Sequence, residues 1–174
     1  IKEMIDRLAL GLQTIGIKKG DRIGILAKNS LEYFLLYGAS AALGAILLPV
    51  NWRLSAEEIK YNLRDCTPEA LFVDPEFQDL VKGLKSDLPS VKSYYTFKDK
   101  GASFLGFDDL MNNAGKFEAG DVSNDDGFVI IHTAAVEGRP RGALLSHGNL
   151  LCAGLHLNYC FHLTEKDVHL NFLP

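Results

Sequence analysis

The chain has 174 residues, 47% hydrophobic and 23% charged, enough for one globular domain with a real core. A net charge of −4 argues against nucleic acid as a bulk partner, since neutralising a phosphate backbone needs a basic surface. Cys66, Cys152 and Cys160 are odd in number and without metal-ligand spacing, so they read as buried, reduced thiols of a cytoplasmic protein.

The residues from Met4 to Ile15 place Met4, Ile5, Leu8, Leu12 and Ile15 on one face of an amphipathic helix that Gly16 ends. Lys18-Lys19-Gly20-Asp21 is a basic turn. A short strand follows from Arg22 to Ala27, with Ile23 and Ile25 on the same side. Ser30 is an N-cap with Tyr33 at the third helical position, and the helix runs from Leu31 to Leu43. Gly44 ends it, and Ala45 to Val50 is a strand. Ser55 and Glu58 have the spacing of a capping box, which starts a helix running to about Asp65.

Beyond the break at Thr67-Pro68, Ala70 to Val73 is a strand, Glu76 to Leu84 a helix, Val91 to Phe97 a strand and Phe107 to Asn113 a short helix. The polar segment from Gly115 to Asp126 is the candidate internal boundary. Phe128 to Ile131 is a buried strand, Ala143 to Leu145 another, and Ser146 caps a helix beginning near His147. His169 to Leu173 is strand-like. Helices alternating with short apolar strands predict an α/β fold, a layered and mostly parallel sheet flanked by helices. Ligands of such sheets bind beyond the carboxyl ends of the strands.

Tyr33 to Trp52 carries no charge and is long enough to span a bilayer. Gly38, Ser40, Gly44 and Pro49 interrupt it, so it reads as a buried helix and strand, with no membrane span. The chain opens at Ile1 inside an apolar-periodic pattern and stops at Pro174 directly after a strand, which marks it as part of a larger protein. Oligomeric state is left open.

The segment between the last two strands holds the candidate chemistry. Thr133, Ala134, Ala135, Val136, Glu137, Gly138, Arg139, Pro140, Arg141 and Gly142 form a loop with two glycines, two arginines and no hydrophobic period. Glycines let backbone N–H groups approach phosphate oxygens, and cations neutralise their charge. This loop resembles a divergent form of the signature loop of the adenylate-forming, AMP-binding enzymes, T-S-G-T-T-G-x-P-K-G. Thr133, Gly138, Pro140 and Gly142 match it, with Arg141 in the place of Lys, and Ser146-His147-Gly148-Asn149-Leu150 is similar to a segment that often follows. Gly20-Asp21-Arg22-Ile23, the stretch from Gly44 to Asn51, and the stretch from Leu54 to Ile59 resemble further family motifs in the family's order.

That resemblance implies part of an acyl-CoA-synthetase-like amino-terminal domain, from an enzyme that activates a small-molecule carboxylate. ATP with Mg2+ would give an acyl-adenylate and pyrophosphate, and a thiol such as coenzyme A would take the acyl group. The ten loop residues would hold the ATP phosphates. Family groups for adenine, ribose, magnesium and the catalytic lysine would follow Pro174, so the 174 residues alone are expected to be inactive.

Ala134, Ala135, Val136 and Glu137 depart from the pattern. A carboxylate roughly 5 Å from a phosphate charge costs about 3 kcal/mol at an effective dielectric near 20, unless it pairs with an arginine or faces solvent. The alternative is therefore a non-catalytic relative that binds an acyl ligand or a protein partner without ATP. An unrelated flavodoxin-like module is a third reading, weakened by the lack of a glycine fingerprint after the first strand. Elsewhere, His132 reads as a packed histidine, His147 as a surface cap, and Asp108-Asp109 and Asp125-Asp126 as solvated acids. His156, His162 and His169 lack metal spacing, and Trp52 and Tyr61 read as core or interface.

Overall fold

The computed structural model describes residues 1–98, 103–133 and 139–168. Helix α1 (Lys2–Thr14) leads to β1 (Arg22–Leu26), α2 (Leu31–Leu43), β2 (Ile46–Pro49), α3 (Ala56–Cys66) and β3 (Ala70–Val73). A 3-10 turn at Pro75–Phe77 then opens α4 (Gln78–Leu84), so the expected helix from Glu76 divides in two. Next come β4 (Ser93–Thr96), β5 (Leu105–Gly106), α5 (Phe107–Met111), β6 (Gly127–His132), β7 (Gly142–Ser146) and α6 (His147–Phe161). The two-residue β5 is too short to leave a periodic signal. The strand expected at His169 to Leu173 lies outside the described residues.

Local signals set the helix ends. Ser30 accepts from the Tyr33 N–H at 3.1 Å. Gly44, at φ 74°, closes α2. Ser55 and Glu58 form the capping box in full, with the Ser55 N–H donating to Glu58 Oε2 at 2.8 Å. Ser146 likewise accepts from the Asn149 N–H at 3.2 Å and starts α6.

Among the described residues the strands form one sheet in the order β5-β4-β3-β1-β2-β6-β7. Every neighbouring pair is parallel except the edge hairpin β6–β7. Alternating side chains give the sheet two apolar faces. On one, Ile23, Ile25, Leu47 and Phe72 pack with Leu8 and Leu12 of α1, Leu35 and Leu36 of α2, and Phe107 of α5. On the other, Leu26, Leu48, Leu71, Val73 and Ile130 pack with Ile59 and Leu63 of α3 and Val81 of α4.

Pro49 shapes the functional edge. The Val50 N–H donates to Ile25 O at 2.8 Å, so position 49 directs its backbone toward β6, where proline has no N–H to give. Leu47 opposite Val129 is the described pairing of β2 with β6.

The segment between α5 and β6 is tied down. Phe117 packs on the first core face, and Lys19 Nζ donates to Asp121 O and pairs with Asp126 at 2.7 Å. Asp126 is therefore paired, not solvated as expected. Lys19 and the Ser123 N–H draw its carboxyl down to about 2.

Candidate functional site

The loop springs from the carboxyl end of β6, and its root is closed by hydrogen bonds. The Thr133 N–H donates to Arg141 O at 3.0 Å, and the Arg141 N–H donates to Thr133 Oγ1 at 3.3 Å. Ala134, Ala135, Val136, Glu137 and Gly138 lie outside the described residues. The returning limb rests on α3: Tyr61 Oη donates to Pro140 O at 3.3 Å, and the Arg139 guanidinium sits 5.7 Å over the Tyr61 ring. Gly142 begins β7 in a place without room for a side chain, since a Cβ there would lie 2.8 Å from Ile130 Cγ2.

Beside the root, at the carboxyl ends of β2 and β6, a cleft of about 620 Å³ opens, with Pro49, Asn51, Asn62, His132, Thr133 and Pro140 in its wall. Two buried atoms of these residues, Asn62 Oδ1 and His132 Nδ1, have no hydrogen-bond partner in the protein. Leaving such a buried polar atom without a partner costs about 1–3 kcal/mol. Trp52, in the same wall, stacks on Phe77 at 6.2 Å, with Lys28 and Arg53 within 5.1 and 4.8 Å of its ring centre. Tyr33, also in the wall, has its phenol pushed well above the usual range by burial, with Tyr37 adding to it, and so stays neutral.

Below the root, α3 and β6 bring three polar groups together. His132 Nε2 lies 3.8 Å from Cys66 Sγ and 3.5 Å from Asp65 Oδ2. Burial pushes the Cys66 thiol up to about 11, with Asp65 adding to the rise and Arg22 opposing it.

The thiols divide, contrary to the expectation of three buried ones: Cys66 is buried, whereas Cys152 and Cys160 on α6 are exposed. Cys160 Sγ and His156 Nε2 lie 3.6 Å apart one helical turn from each other, a pairing that sequence inspection passed over. His147 is half-buried against Phe128, with ring centroids 5.0 Å apart, and not a surface cap. Asp109 accepts from the Gly106 N–H at 3.2 Å at the start of α5. Of the ten loop residues, the structure brings Thr133, Arg139, Pro140, Arg141 and Gly142 to one place. Asn62 and Tyr61 were missed as site residues. Asn62 had a signal, because it falls on the apolar stripe Ile59, Leu63 and Cys66, where a polar residue needs a reason.

Among the described residues no helix is long and apolar enough to cross a membrane. All of residues 1–174 match the sequence profile of the AMP-binding enzymes. Indoleacetate–CoA ligase of Aromatoleum aromaticum is 30% identical over 173 residues, 98% of this chain and 34% of that protein. Crotonobetaine/carnitine–CoA ligase of Salmonella enteritidis is 26% identical over all of this chain and 35% of its own length. The chain thus spans about a third of these curated relatives. A candidate long-chain-fatty-acid CoA ligase from Rhodopseudomonas palustris superposes with a TM-score of 0.92 at 46% identity, over 98% of this chain and 43% of that one. MatB from the same organism, solved with ATP bound, gives 0.80 at 27% identity, over 95% and 32%. With a parallel sheet, a loop at its carboxyl edge and a profile match from end to end, this chain belongs to the AMP-binding enzyme family.

Proposed function

We propose that the whole protein is an acid–thiol ligase that activates a small-molecule carboxylate with ATP, through an acyl-adenylate, and transfers the acyl group to coenzyme A. The observation that carries this reading is the closed-rooted, arginine-bearing loop beside a cleft at the carboxyl edge of the sheet, in a chain of this family. The names of the two curated relatives, both CoA ligases, support it, as does the ATP in MatB. The 46% identity to a candidate fatty-acid ligase favours an aliphatic acid and a place in fatty acid metabolism. Such an enzyme works in the cytoplasm, where ATP and coenzyme A are supplied. Residues 1–174 are then part of an amino-terminal AMP-binding domain, with 115–126 joining the loop-bearing hairpin to the strands before it.

In this reading the backbone of Ala134, Ala135, Val136, Glu137 and Gly138 borders the ATP phosphates, and Thr133 donates its hydroxyl proton while its oxygen holds the Arg141 N–H. Arg141 supplies a planar cation suited to phosphate, and Arg139 a second once it leaves the Tyr61 face. Pro140 and Gly142 hold the returning limb close to α3 and β6. Mg2+ accompanies the phosphates, as it does wherever nucleotide oxygens are its main ligands.

A second reading, a non-catalytic relative that binds an acyl ligand or a protein without ATP, is favoured by the placement of Arg139 on Tyr61 and by the carboxylate of Glu137 in the loop. ATP–pyrophosphate exchange by the full-length protein, with short, medium, long-chain and aromatic acids, separates the two. Exchange that depends on one acid class is expected; none with any acid, from folded protein, would sink the ligase reading.

A further inference from the structure

The groups of Asp65, Cys66 and His132 face one another at separations that a shared cation spans. The 3.5 Å from His132 Nε2 to Asp65 Oδ2 exceeds the ordinary N–H···O range of about 2.7–3.2 Å. Cys66 Sγ is 3.8 Å from His132 Nε2 and 4.0 Å from Asp65 Oδ2. A tetrahedral zinc ion, with bonds of about 2.3 Å to sulfur and 2.0–2.2 Å to nitrogen and oxygen, sets its ligands about 3.4–3.6 Å apart. The three observed separations lie within about half an ångström of those edges.

We propose that Asp65, Cys66 and His132 form a binding site for Zn2+, with the fourth position open to water. The ligand set decides the metal class: thiolate and imidazole select zinc-like cations over magnesium or calcium. Charge balances, because a thiolate and a carboxylate together neutralise a divalent ion, and binding releases the Cys66 proton to solvent. Burial gives both a closed and an open side. Cys66 is 7% exposed and the His132 side chain 7%, whereas Asp65, at 43%, faces solvent and leaves a route in. The site ties the last turn of α3 to the last residue of β6, directly under the loop root, and it is independent of the ligase reading.

The test is cobalt titration of the full-length protein after chelator treatment, read by absorbance, with zinc content of the purified protein measured in parallel. One equivalent of metal per chain is expected, with a thiolate-to-cobalt charge-transfer band. The band should vanish in Cys66→Ser, and affinity should fall roughly ten-fold or more in Asp65→Asn, whose exposed position spares the core. The double variant Cys152→Ser/Cys160→Ser should keep both. Failure of wild type to bind in excess cobalt, or a band that survives Cys66→Ser, overturns the proposal. If Cys66→Ser does not fold, unchanged affinity in folded Asp65→Asn does the same.

Discussion

At Gly142 the absence of a side chain is what lets β6, β7 and α3 meet. A Cβ there would stand 2.8 Å from Ile130 Cγ2, 3.4 Å from Cys66 Sγ and 3.6 Å from His132 Nε2. Gly142→Ala should therefore cost about 1–3 kcal/mol, as overpacking of a close contact does. The check is the urea midpoint, which should fall at unchanged slope. The family pattern pointed to this glycine for its approach to phosphate, but the space it saves inside the fold depends on residues 66 and 130, which no local motif contains. Pro49 teaches the converse. Its position in a strand was readable, yet its missing N–H bears on the edge only because β6 lies next to β2, and that neighbour is some eighty residues away in the chain.

Helix α3 does more for the site than its length suggests. Its capping box fixes where it starts, its stripe of Ile59, Leu63 and Cys66 seats it on the sheet, and Tyr61 reaches the loop from its flank. Ser55→Ala removes the side-chain acceptor for the Glu58 N–H and should cost about 0.5–2 kcal/mol, seen as a lower thermal midpoint. This element was fully legible, because capping and amphipathic spacing are local. So were α2 and β3, whose bounds match the apolar runs that predicted them. The triad of Asp65, Cys66 and His132 was not. Metal-ligand spacing is sought within one stretch of chain, and here the third group arrives from β6, across the sheet face.

Across the whole molecule, the ion pair of Lys19 and Asp126 links the turn before β1 to the segment before β6. The Asp126 carboxyl titrates at about 2, below its ordinary 3.8, so folding favours its charged form. Its contribution to stability is thus present above about pH 4 and is lost as pH falls through about 2. Asp126→Asn should lower stability at neutral pH and flatten the fall between pH 4 and 2, measured as denaturation midpoints across that range. The antiparallel hairpin at the edge of the parallel sheet has a different consequence. Bringing together the ends of a chain segment as long as the loop costs about 2 kcal/mol of entropy. The ladder of β6 with β7, capped by the bonds between Thr133 and Arg141, meets that cost before any ligand arrives. What binds between those two feet does not meet that cost again, so more of its contact energy remains as affinity.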